Sequence, residues 1–289
     1  MKCFYHNDMD GQCAGLWVYL SVGINDEYNF ESEFIAIDYK DKFPMESIRP
    51  NEQIYIVDFS ISPDEMRELL SITKNVTWID HHKTAIEKYK DFEHPIRGVR
   101  IDGIAGCVLT YAYIHHMTQR GDGEIKPFDS SMLADLPLFT KLVGDRDVWD
   151  WHFGEQTKYF YAGLQLYDTS PSSDIWCEAL TKGTGKFEKQ GMVVEQFKKI
   201  QREYLIKSYS FEVELEGYKG VACNSKDSSE LFGNLIEQYD FVSPFVFDGK
   251  QYTVSLYSNK IDVSEIAKKY GGGGHKGAAG FQCKDLPYK

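Results

Sequence analysis

Three short clusters of acids and histidines, each placed where an apolar, β-rich segment stops, constrain this chain most. His6-Asn7-Asp8-Met9-Asp10-Gly11 follows the apolar start Lys2–Tyr5, Val57-Asp58-Phe59-Ser60 ends the run from Gln53, and Ile79-Asp80-His81-His82 ends Val76–Ile79. β-Branched runs of this kind suit buried parallel strands. Between the last two, Ser62-Pro63-Asp64-Glu65 opens a helix, with Ser62 as N-cap, Pro63 at the first helical position and Glu65 completing a capping box. Gln12–Val22 reads as a helix after the Gly11 turn, and Phe30–Tyr39 alternates as a strand does. This alternation predicts an α/β domain with a doubly wound, mainly parallel sheet, where ligands bind outside the carboxyl ends of the strands. His6, Asp58 and Asp80 all fall at those ends.

The residue types at these ends suit hard cations. Asp8 and Asp10, straddling Met9 in a turn, can each reach a different ion. Asp58, a lone acid after an apolar strand, suits a carboxylate that bridges two ions. Asp80-His81-His82 adds an imidazole ligand, a supporting carboxylate and a substrate-facing histidine. Oxygen ligands with a minority of imidazole favour two Mn²⁺, with Mg²⁺ the second choice, over a thiolate-type zinc site. Two such ions, ~3.5–4 Å apart, activate water and clamp phosphoryl oxygens. Any one of these acids alone is explained by a solvated turn. Their joint occurrence at successive strand ends points to metal-assisted phosphoester hydrolysis.

Charge narrows the substrate. The formal net charge is -12, of which residues 200–289 contribute only -1. The acidity lies in the part that carries the clusters, where divalent cations would offset it. So acidic a surface disfavours long double-stranded nucleic acid and leaves short phosphorylated substrates open. The 6 cysteines form no Cys-x-x-Cys pair, which predicts free thiols in a reducing, cytoplasmic setting. No apolar run approaches the ~18 residues that would span a bilayer, so no membrane association is expected. Gly-x-Ser-x-Gly elbows and Gly-Lys-Ser/Thr phosphate loops are missing from the sequence, which disfavours serine hydrolases and P-loop NTPases.

Further along, Ile104–Met117 reads as a buried helix and Arg120–Asp129 as a loop. A helical stretch through Leu133–Val143 runs into Gly144-Asp145-Arg146-Asp147. Ser172–Tyr209 reads as helical, with a loop at Lys182–Lys186. From Phe211 the texture changes to hairpins about Glu216-Gly217 and Asp248-Gly249, with helices over Ser229–Gln238 and Val263–Tyr270. The expected division is residues 1–185, a helical connector 186–210, and a smaller α+β domain 211–289. Gly271-Gly272-Gly273-Gly274-His275 follows the last helix. Glycines there let backbone N–H groups approach a phosphate closely, and His275 adds a donor, although alone the run would be a flexible turn. Trp149-Asp150-Trp151-His152 fits either a base-stacking platform or, more commonly, aromatic packing. His115-His116 reads as structural.

His6-Asn-Asp8-Met-Asp10-Gly11, Val-Asp58, Asp80-His81-His82 and Gly144-Asp145 resemble the successive motifs of the DHH phosphoesterase superfamily. Gly272-Gly273-Gly274-His275-Lys276-Gly277-Ala278-Ala279-Gly280-Phe281 resembles the glycine-rich signature of its associated C-terminal domain, found in RecJ-like exonucleases and nanoRNA oligoribonucleases. The resemblance covers nearly the whole chain. It implies one metal on His6, Asp8 and Asp58, and another on Asp10, Asp58, His81 and Asp145. Asp147 competes with Asp145 for the last place, and its bland reading is a pair with Arg146. Asp80 would orient a ligand from behind, and His82 would contact the scissile phosphate. Gly272, Gly273, Gly274 and His275 would hold the substrate's far end, in a cleft between the domains. The implied activity is attack of metal-bound hydroxide on short oligonucleotides or linear dinucleotides, releasing nucleoside monophosphates. A manganese pyrophosphatase or phosphomonoesterase, or a non-catalytic nucleotide-binding module, are the alternatives. Where many relatives carry an arginine in the strand before the glycine run, this chain has Tyr257, which suits stacking on a base.

Overall fold

The computed structural model describes residues 1–22, 32–117 and 126–289. Residues 30–31 of the expected second strand and 120–125 of the expected loop lie outside the described residues. The N-terminal elements are β1 (Lys2–His6), α1 (Met9–Ser21), β2 (Glu33–Ile37), β3 (Ile54–Val57), α2 (Pro63–Ile72), β4 (Val76–Ile79) and α3 (Lys83–Lys88). They are followed by α4 (Gly106–Ala112), α5 (Leu138–Asp147), α6 (Glu155–Leu164), α7 (Asp174–Lys182) and α8 (Gly185–Tyr209).

Strand side chains alternate between two cores because the strand period is two. Cys3 and Tyr5 of β1, Val57 of β3 and Ile79 of β4 face one side, among Trp17, Leu109, Phe139 and Phe160. Phe4, Ile54, Ile56, Val76 and Trp78 face the other, with Met66 and Leu69 of α2. Each such side chain contributes roughly 1.5–3 kcal/mol when fully buried. Burial on both faces is why these strands read as unbroken apolar runs. Their order is β2-β1-β3-β4 with every pairing parallel, the doubly wound sheet expected. The chain passes from β1 to β2 on one side, then crosses to β3 on the other. The order therefore reverses at β1, and His6 and Asp58 end the two adjacent strands beside that switch point. The capping box of α2 forms as its sequence predicts, Ser62 Oγ accepting from Glu65 N–H and Glu65 from Ser62 N–H.

The chain divides into two compact units at Val194/Glu195, inside α8 rather than at its ends. The C-terminal unit adds β5 (Ser210–Leu215), β6 (Tyr218–Asn224), β7 (Phe241–Phe247), β8 (Tyr252–Tyr257), α9 (Val263–Lys269), β9 (Gly273–His275) and β10 (Ala278–Cys283). Its sheet runs β5-β6-β7-β8-β10-β9, antiparallel except for β6 and β7. Three expectations differ locally. Ser229–Glu237 is 3₁₀ helix broken at Gly233, whose φ of 49° and ψ of -128° are not helical. The helix over Leu133–Val143 starts only at Leu138, because Pro137 disfavours helical backbone in the residue before it. The buried helix ends in a π-turn over Tyr113–Met117. Among the described residues no helix is long and apolar enough to cross a membrane.

Candidate metal centre

Each acid reaches the carboxyl edge of the sheet through a local device. Asp8 is the N-cap of α1, one oxygen accepting from Gly11 N–H at 2.9 Å. Asp10, in the first turn of α1, is buried and accepts from the N–H groups of Gly106 (2.6 Å) and Cys107 (3.0 Å). These amides open α4, where a carboxylate is favoured by unsatisfied N–H groups and the helix dipole. Asp58 leaves β3 with φ of 53°, left-handed backbone that a non-glycine residue adopts only where its surroundings impose it. Gly106 makes room for it: a Cβ there would meet Asp58 Cβ at 2.6 Å and Oδ1 at 2.8 Å.

These devices gather three overlapping sets of donors, each set's ligand atoms within 4.8 Å of one another. They are His6, Asp8 and Asp58; Asp10, His81 and Asp147; and Asp58, His81 and His82. Asp58 lies between imidazoles, its oxygens 3.1 Å from His81 Nε2 and 3.7 Å from His6 Nδ1. His6 Nδ1 is 2.7 Å from Asp8, and His81 Nε2 is 3.3 Å from Asp147 and 3.8 Å from Asp10. The His81 contact lacks hydrogen-bond geometry, and the His6 contact is too long for a hydrogen bond. The Asp58 side chain is 1 % exposed, and both its oxygens, like His6 Nδ1, lack a hydrogen-bond partner among the described residues. A buried carboxylate without donors is costly unless a cation meets it. The donor set therefore fits divalent cations: carboxylate oxygens in the majority, with imidazole nitrogens between them.

The protonation pattern says the same. Burial, reinforced by the charges of Asp8 and Asp147, lifts Asp58 to about 7. Burial and the Asp58 charge lift Asp10 to about 8, and burial with the Asp10 charge lifts Asp147 to about 7. Asp58 and then Asp8 raise His6 to about 10. Burial pulls Asp8 upward, but its contacts with His6 and Gly11 outweigh it, and the carboxyl ends below its ordinary value. Crowded acids that hold protons this tightly release them to a metal.

Two expected roles change. Asp80 is buried, but its Oδ1 meets His82 Nδ1 at 2.7 Å and touches His81 only through the backbone N–H, also at 2.7 Å. It orients the His82 ring rather than that of His81. Asp80 also raises His82 to about 9, which makes the imidazole a cation at neutral pH. Asp145 is not brought to the centre. Its carboxylate accepts from the N–H groups of His152 (2.7 Å) and Phe153 (3.3 Å) and from the Thr157 hydroxyl. Asp147, two residues on, is the acid that meets His81. Residues two apart on a helix point roughly 200° away from each other, so only one can face the site. The sequence reading also passed over Tyr39, whose ring centroid lies 5.4 Å from that of His6 and 6.0 Å from that of His82. In the C-terminal unit, Gly273–His275 form the edge strand β9 paired to β10, with Gly272 just before it and His275 exposed.

Comparison with known proteins finds likenesses to phosphoesterases. Residues 216–288 match the model of the DHHA1 domain. Oligoribonuclease NrnB of Bacillus subtilis is 22 % identical over 99 % of this chain and 73 % of its own length. Together these two matches support a member of the DHH phosphoesterase superfamily with a DHHA1 C-terminal domain. An uncharacterised mimivirus protein, R106, is 24 % identical over 89 % of this chain and 56 % of its own length. Among solved structures, the pGpG-specific phosphodiesterase PggH of Vibrio cholerae superposes with a TM-score of 0.53 at 12 % identity, covering 98 % of this chain and 93 % of that one. At that identity the likeness is one of fold.

Proposed function

We propose that this protein is a divalent-metal-dependent phosphodiesterase acting on short oligonucleotides or linear dinucleotides and releasing nucleoside monophosphates. The observation that carries the reading is Asp58, a buried carboxylate without hydrogen-bond donors, set between His6 and His81. One ion would be held by His6, Asp8 and Asp58, and a second by Asp10, Asp58, His81 and Asp147, with Mn²⁺ the favoured metal. When bound, such a pair supplies Lewis-acid polarisation of the phosphoryl oxygens and a water made acidic enough to attack near neutral pH.

The chain's own residues do the rest. His82, cationic through Asp80, offers Nε2 to the scissile phosphate and can give a proton to the leaving oxygen. Asp80 fixes its ring so that Nδ1 keeps its proton. Asp145 ties the loop after α5 to α6. Gly272, Gly273, Gly274 and His275 take up the substrate's nucleotide or phosphate end. NrnB is named an oligoribonuclease and PggH a pGpG-specific phosphodiesterase, which supports a short substrate here as does the net charge of -12. The test is cleavage of a diribonucleotide, a longer oligomer and pyrophosphate in Mn²⁺ and in EDTA, with Asp58→Asn as control. Chelator-sensitive cleavage of the dinucleotide, abolished in the variant, is the expected result. Turnover of pyrophosphate alone, or binding with no turnover in any metal, would replace this reading.

A further inference from the structure

Arg146, the residue before His81's partner Asp147, meets an aromatic cluster that the hydrolytic centre does not use. Its guanidinium carbon is 3.9 Å from the centroid of the Trp149 ring, 5.0 Å from that of Trp151 and 5.2 Å from that of Tyr161. No carboxylate pairs with it among the described residues, so the expected pair with Asp147 does not form. Trp151 meets Trp149 edge-on, at 5.2 Å and 78° between ring planes. Trp149, held on one face by the guanidinium and at its side by the second indole, nevertheless keeps 58 % of its surface exposed.

The backbone is built to present this ring. Trp149 and Trp151 have φ of 59° and 57°, left-handed conformations that large aromatic residues avoid. The strain is held in place from behind. Asp150 N–H donates to the Asp145 carbonyl at 3.0 Å, and the Asp145 side chain takes the N–H groups of His152 and Phe153. A buried acid that pins a strained turn, with an indole left in solvent at its tip, is more than aromatic packing needs. The turn begins one residue after the end of α5, where Asp147 stands 3.3 Å from His81.

We propose that Trp149, backed by Arg146, is the stacking platform for the nucleobase next to the scissile phosphate. This rests on the phosphodiesterase reading and specifies its substrate: an end whose base is unpaired and free to stack, purine before pyrimidine. The platform accepts any base by its π-face and rejects a base held in a duplex. Arg146 acts by holding and polarising the indole, and is a positioning residue.

The test uses the full chain with Mn²⁺, a purine diribonucleotide, and the same phosphodiester lacking both bases. Stacking contributes on the order of a 5- to 150-fold effect per base. Trp149→Ala should raise KM for the dinucleotide by roughly tenfold or more with kcat little changed, and Trp149→Phe should recover most of it. The base-free analogue should show the raised KM already with the natural chain, and W149A should not raise it further. Purine mononucleotide should quench tryptophan fluorescence in the natural chain, and W149F should lose that quench. An unchanged KM in W149A, or an equal loss on the base-free analogue, overturns the platform. If no phosphodiester is cleaved by any chain, the phosphodiesterase reading fails, and the quench alone decides whether Trp149 takes a base: its presence supports the platform, its absence overturns it.

Discussion

Replacing Asp58 by Asn should stabilise the metal-stripped protein while removing its response to metal. Burial and the neighbouring charges of Asp8 and Asp147 lift this carboxyl from its ordinary 3.8 to about 7. A group whose folded-state pKa is raised contributes stability below its unfolded value and loses it as pH rises through the folded one. At 1.36 kcal/mol per tenfold, the raised pKa of Asp58 destabilises the metal-free fold by roughly 4 kcal/mol at pH 8 and by roughly 1.5 kcal/mol at pH 5. Asn has no such charge and nearly the same shape. For a unit of residues 1–194, roughly 2–4 °C of Tm accompanies each kcal/mol, so an upward shift on the order of 10 °C is expected in EDTA at pH 8, shrinking toward pH 5. In Mn²⁺ the ranking reverses, because the ion discharges the acid cluster of the natural chain and has lost its central carboxylate in the variant. Thermal unfolding by circular dichroism, with EDTA or Mn²⁺ at both pH values, measures this. A variant less stable than the natural chain in EDTA at pH 8 would refute the account of Asp58 as an unsatisfied buried charge.

Asp10, Asp147, His6 and His82 are also raised, and all share that sign. The EDTA-treated natural chain should therefore lose Tm steadily from about pH 4 to about pH 10, and a Tm rising across that range would contradict it. Asp145→Ala should lower stability by about 3 kcal/mol, since it strips charged hydrogen bonds from two backbone amides and Thr157, yet leave Mn²⁺ binding within a few-fold by calorimetry. Asp147→Ala should do the reverse, weakening Mn²⁺ at least tenfold with Tm in EDTA unchanged or higher. Gly106→Ala forces a methyl against Asp58 and should cost about 1–3 kcal/mol and impair metal binding together, read by the same two measurements.

Period and punctuation alone made the parallel sheet, its capping box and the hairpins legible, because these features depend on neighbours in sequence. The clustering of His6, Asp8, Asp10, Asp58 and His81 was legible for a related reason: all five stand at or just beyond strand ends, and strand ends of one parallel sheet share an edge. The choice between Asp145 and Asp147 was not. Both follow the same apolar stretch, and only the packing of α5 against α6 decides which points inward to Thr157 and which toward His81. Asp80's preference for His82 over His81 was likewise hidden, since adjacent imidazoles look alike until the backbone turns. The sequence by itself determined which chemistry the sheet edge can hold, because residue type and strand register are local. Tertiary structure alone decided which acid is a hydrogen-bond anchor and which is left without a donor, because that depends on the element packed opposite.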